Sequence, residues 1–124
     1  VKFPALNMAG MLAALLLAAP AAAQDWVPRR GAELQALDKV TARITVINAP
    51  VGQPTRFGTL TIHVRACHAR PPDEVPDAAA WMEITDTLSP PGSGPVFQGW
   101  LFAAAPAVNM LEHPVYDLRV LNCR

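Results

Sequence analysis

The amino-acid sequence predicts an all-β protein: a small antiparallel β-sandwich or partly open barrel, stapled by one disulfide and preceded by an N-terminal signal peptide. Three observations predict it. The apolar residues of the C-terminal four-fifths alternate with period two, the period of half-buried strands, and no amphipathic helix stands out. Thirteen prolines, with glycine clusters, cut the alternating runs into strand-length pieces. Two cysteines, Cys67 and Cys123, are enough to tie together a domain whose core is small.

The chain of 124 residues divides into 1–23, a signal peptide; 24–36, a flexible lead-in; and 37–124, a single β domain. Lys2 supplies a positive start, and Met8 to Ala19 is an uncharged apolar run. Ala21-Ala22-Ala23 then fits the small-residue cleavage rule before Gln24. The run is about 12 residues, too short for a bilayer core of roughly 30 Å, so the mature protein is expected to have no transmembrane helix. Arg29-Arg30 follows the apolar run instead of preceding it, which excludes a twin-arginine signal.

Within the lead-in, Gln24 to Gly31 (QDWVPRRG) is polar, and Ala32 to Asp38 (AELQALD) is too short to separate a helical turn from a first strand. Val40, Ala42, Ile44 and Val46 alternate with Thr41, Arg43 and Thr45, predicting a strand with that apolar set facing the core. Asn48 to Pro54 breaks it with turn residues. Leu60, Ile62, Val64 and Ala66 give the cleanest alternation, running to Cys67, and this strand is expected to pair antiparallel with the one before it. Pro71 to Asp77 is a proline-rich acidic loop, where no ladder continues. Ala80 to Thr85 makes a third strand with Trp81, Glu83 and Thr85 on one face. Leu88 to Pro95 is a turn, and Val96 to Phe102 (VFQGWLF) a fourth strand whose Gly99 marks a bulge or a close backbone approach. After the connector Ala103 to Asn109, Tyr116, Leu118 and Val120 form the inward face of a last strand ending at Cys123.

Export to an oxidising compartment and an even cysteine count without CxxC spacing predict a Cys67–Cys123 disulfide. Basic and acidic residues balance at ten each, and loss of Lys2 leaves nine basic, so nothing favours nucleic acid or an anionic membrane as partner.

Catalytic signals are weak. Ser89 and Ser93 sit among prolines and glycines without the GxSxG spacing of a nucleophile elbow. His63, His68 and His113 show no metal-ligand spacing, and the acidic cluster Asp73, Glu74, Asp77 lacks a calcium-loop pattern. No catalytic residue, metal site or cofactor is therefore assigned. The best lead is aromatic. Trp100 and Phe102 share a strand face, and Pro114 forces Glu112 to Asp117 (EHPVYD) into a corner that aims the last strand. The expected binding patch is Trp100, Glu112, His113 and Tyr116, with Tyr116 packed inward and its hydroxyl on a buried partner or at the rim.

The stretch LDKVTARITVINAPVGQPTRFGTLTIHVRACHARPP, followed by FQGWLFAAAPAVNMLEHPVYDLRVLNC, resembles the DUF2155 family of small exported alphaproteobacterial proteins. The resemblance spans Leu37 to Cys123 and rests on Ala66-Cys67 with Arg70-Pro71-Pro72, Gly99 to Phe102, and Leu111 to Asp117. It implies a periplasmic location in a Gram-negative cell and places Cys67 and Cys123 in the family's pattern. It implies no activity. The leading expectation is a non-catalytic envelope binding or structural protein whose partner is an envelope protein or a glycan. The alternatives are a metal-dependent or hydrolytic enzyme with a site near Glu112, His113 and Asp117, joined by His63, and a carbohydrate-binding module that uses Trp100 and Trp81.

Overall fold

A computed structural model describes residues 25–124, so the signal-peptide assignment at 1–23 lies outside the described residues. The described chain is all β. Its strands are β1 (Val27–Pro28), β2 (Gly31–Asp38), β3 (Arg43–Pro50), β4 (Pro54–Phe57), β5 (Leu60–Ala69), β6 (Ala78–Asp86), β7 (Phe97–Phe102) and β8 (Tyr116–Cys123).

They form two antiparallel sheets that face each other without closing into a barrel. The larger runs β1-β5-β6-β7, with β4 sharing the β1 edge of β5; the smaller runs β3-β2-β8. Inward-facing residues of both sheets make one core. Leu34 comes from β2, Leu60, Ile62 and Val64 from β5, Met82 and Ile84 from β6, and Leu118 and Val120 from β8. Fully burying an aliphatic side chain of this size contributes about 1.5–3 kcal/mol.

The alternation of β5 to β8 appears as the sequence predicts, with one departure. Each of the two strands that carry a cysteine slips by one residue. Val64 pairs with Met82, but Ala66 pairs with Trp81, leaving Arg65 as an extra residue in β5. Leu34 pairs with Val120, but Glu33 pairs with Asn122, leaving Leu121 extra in β8. A bulge inverts the inside-outside alternation that follows it. Leu60, Ile62 and Val64 point inward, then Cys67 and Ala69 do, while Ala66 is only half-buried. Likewise Tyr116, Leu118 and Val120 point inward, then Cys123. The expectation that Ala66 continues the buried face is thereby corrected. Without the two slips both cysteines would face solvent. With them, Cys67 and Cys123 are bonded across the two sheets, their Cα atoms 5.6 Å apart.

The beginning of the domain differs from expectation in three ways. The segment 24–36, expected as a flexible lead-in, carries β1 and most of β2. Ala32 to Asp38, left open between helix and strand, lies in β2, the central strand of the smaller sheet. Ala, Glu, Leu and Gln favour helix in isolation, but here both backbone edges are laddered and Ala32, Leu34 and Ala36 are buried. The expected core face of the next strand is not buried. Residues 39–42 are the turn between β2 and β3, with Ala42 at φ 57°, and Val40, Ile44 and Val46 are 78%, 59% and 56% exposed. On β3 it is Ala49 that reaches the core. Finally, β5 does not pair with β3: its ladder partners are β1, β4 and β6.

Candidate functional site

Two clusters gather the polar and aromatic side chains that sequence singled out. The first is the corner before β8. Pro114 turns the chain, and Tyr116 enters β8 facing inward at 9% exposure. Its ring packs edge-on against Phe57 at 5.4 Å, and its hydroxyl accepts a hydrogen bond from the Thr59 amide at 3.4 Å. Gly58 adopts φ 57°, and a Cβ there would overlap the Tyr116 hydroxyl, so glycine is required on both counts.

His113 lies 5.1 Å from the Tyr116 ring, and its side chain is buried with that of Asp86, at 9% and 8% exposure. Its Nδ1 accepts hydrogen bonds from the Val115 and Tyr116 amides. The proton therefore sits on Nε2, which donates to Asp86 Oδ2 at 2.7 Å. The hydrogen bond from His113, followed by the one from the Leu88 amide, holds the Asp86 carboxyl below the ordinary carboxylate range. Lys39 closes the corner from outside: its Nζ donates to the His113 carbonyl at 2.7 Å and its amide to the Val115 carbonyl at 2.8 Å.

An acid paired to an imidazole is half of a hydrolytic triad, but such a base needs its second nitrogen free for a nucleophile. Here that nitrogen is committed to two backbone amides. The other residues of the metal-dependent alternative are dispersed. His63 stands on β5 opposite Glu83, Asp117 accepts from the Leu118 amide on the other sheet, and Glu112 is exposed. Among the described residues, no three His, Cys, Asp or Glu side chains come together to hold a metal ion.

The second cluster is on the outer face of the larger sheet. Trp100, expected beside His113, lies here instead. It is 36% exposed, its ring is 5.8 Å from that of His68, and its cross-strand neighbour is Trp81. Trp26 joins from the chain start, because β1 pairs Val27 with Ala69 and Pro28 with His68. The Arg70 guanidinium lies 3.9 Å over the Trp26 ring, a cation–π contact that covers one ring face. Trp26, His68 and Trp100, with Phe102 and Ala79, line an open cleft of about 250 Å³. Ala79 forms the floor because a small residue there sits between His68 and Phe102, its neighbours on the two flanking strands. Gly99, at φ 152°, lets Asn109 approach closely; a Cβ would stand 2.9 Å from Asn109 Nδ2, which donates to the Trp100 carbonyl at 3.0 Å. The close backbone approach expected at Gly99 is thus present, and it fixes the strand under Trp100.

The chain has three tryptophans, and none is in the core: all three stand on this one face. Sequence reading identified Trp100 and Phe102 as face-mates but missed Trp26, His68 and Ala79. For Trp26 the available signal was a tryptophan inside an otherwise polar segment. A larger cleft beside the disulfide, about 440 Å³, is lined by Arg29, Arg70, Glu74, Asp77, Arg124 and neighbouring prolines, and contains no aromatic side chain.

A family model described as an uncharacterised protein conserved in bacteria, DUF2155, matches residues 32–123. An uncharacterised protein of Rickettsia prowazekii (strain Madrid E) is 27% identical over 88 residues, which cover 71% of this chain and 57% of that protein. The chain thus spans little more than half the length of this relative. No solved structure matches.

Proposed function

The chain belongs to the DUF2155 family of uncharacterised bacterial proteins, and from that premise we propose that it is an exported, periplasmic protein that acts by binding an envelope partner and not by catalysis. The observation that carries the reading is the placement of all three tryptophans on one outer sheet face. In a domain this small, burying a tryptophan would be among the largest single contributions to the core. Leaving every one outside, two of them lining a cleft with Ala79 and the third beside Trp100, is costly for stability and useful for recognition. Export is supported by the leader pattern at 1–23 and by the inter-sheet disulfide, which persists in an oxidising compartment.

The test is crosslinking in intact cells that express the full chain, followed by fractionation and capture. The exported product should begin at or near Gln24 and sit in the periplasmic fraction. Adducts formed by the wild type should be lost from Trp100→Ala. A product retaining Leu12 to Ala19 would sink the cleaved-export reading. Adducts identical in Trp100→Ala would sink the assignment of the site.

A further inference from the structure

Resting on that binding role, we infer that the aromatic face takes a saccharide, a pyranose ring stacking on Trp100 with neighbouring sugar residues of the same chain reaching Trp81 and Trp26. A pyranose presents an apolar C–H face and a rim of hydroxyls. It needs a flat aromatic surface edged by hydrogen-bonding groups. The face supplies both. Trp100 and Trp81 are directly opposite each other on adjacent strands, which places both on the same sheet face. The His68 ring in the cleft and the Arg70 guanidinium over Trp26 provide the polar edge. The cleft, about 250 Å³, lies below the range of about 300–1,000 Å³ usual for drug-sized ligands. It suits a single ring, with the rest of an oligomer lying along the sheet.

Other ligand classes fit less well. A cationic group meets Arg70, which already occupies the cation position over Trp26. A peptide adding as a strand needs a free sheet edge. Beside the cleft the free edge is that of β7, and there the Trp100 carbonyl, which an added strand would need, is already held by Asn109 Nδ2. A polyanion such as nucleic acid finds basic and acidic residues balanced at ten each. A proline-rich peptide, which also docks on aromatic grooves, is the competitor to test directly.

The experiment is titration of the exported protein with three probes: hexa-N-acetylchitohexaose, cellohexaose and decaproline. Tryptophan fluorescence and calorimetry give the readout. All three tryptophans are on the face, so occupancy should shift the whole emission. At least one hexasaccharide should bind saturably. Trp100→Ala should weaken it at least tenfold with an unchanged melting temperature, whereas Trp100→Phe should retain most of the affinity. Leu88→Ala, at an exposed turn away from the cleft, should bind as wild type. Failure of both hexasaccharides at millimolar concentration, binding of decaproline alone, or equal sugar binding by Trp100→Ala overturns the inference. If sugars fail while crosslinked capture still depends on Trp100, the ligand class falls and the binding role stands.

Discussion

The two ends of β8 are held by different chemistry. At its start, the Tyr116 end, the sheets are joined by hydrogen bonds, His113 to the buried Asp86 carboxylate and the Thr59 amide to Tyr116, while Lys39 holds the His113 carbonyl within the smaller sheet. At its finish the sheets are joined by the Cys67–Cys123 bond, and Arg124 ladders onto Gly31 and pairs with Glu33 at 3.0 Å. The first end is adjustable, because its bonds depend on protonation and on side-chain fit. The second depends on oxidation. A short strand with eight residues, pinned at both ends by unlike means, fixes the spacing of the two sheets without a large core.

The comparison is sharpest when each end is broken alone. Reducing the disulfide, or replacing both cysteines with serine, releases a loop defined by a sequence separation of 56. The chain-entropy model gives a loss of about 4 kcal/mol for such a loop. Thermal melts with and without reductant should differ by tens of degrees, since about 1 kcal/mol moves a domain of this size by about 4–8 °C. An unchanged melting point would mean that the non-covalent end carries the fold alone. Tyr116→Ala breaks the other end. It empties the space against Phe57 and His113 and should cost about 3 kcal/mol, towards the low end for buried aromatics because the ring is at the rim. Urea unfolding measures it, and a loss below 1 kcal/mol would show that the corner is not a structural joint.

The smallest effect is the pH response. Asp86 has a folded-state pKa below its unfolded value, so the stability it contributes is fully present above the unfolded value of about 3.9. That stability is lost as pH falls through the lowered folded value. Asp86→Asn should flatten this part of the acid limb in urea titrations between about pH 5 and 2. The double cysteine variant should keep it. An Asp86→Asn acid limb identical to wild type would remove the Asp86–His113 hydrogen bond from the account.

The two ends were unequally legible in the sequence. The cysteine pairing followed from compartment and count. The corner followed in part: Pro114 and the alternation of Tyr116, Leu118 and Val120 announced a turn into an inward-facing strand. Asp86 carried no such signal. It is one acid at a strand end, and its partner is 27 residues away, brought near by the pairing of sheets that sequence does not specify. The patch expected at Trp100, Glu112, His113 and Tyr116 merged two sites, because proximity in sequence between β7 and the corner says nothing about which side of the sheet each side chain takes. For β3, period two correctly marked a strand, but period cannot say which face is covered. β3 is an edge strand, and among the described residues nothing packs on its outward side, which carries Ile44 and Val46. In β2, local helix preference was outweighed by two flanking ladders, a tertiary effect invisible in seven residues.

The paired one-residue slips in β5 and β8 also tie the disulfide to the register of both sheets. In the folded domain both cysteines point inward only because both strands have taken their shifted register. Two cysteines allow one intramolecular pairing, so no shuffling among alternatives is needed. Once formed, the bond holds the shifted register of both strands in place.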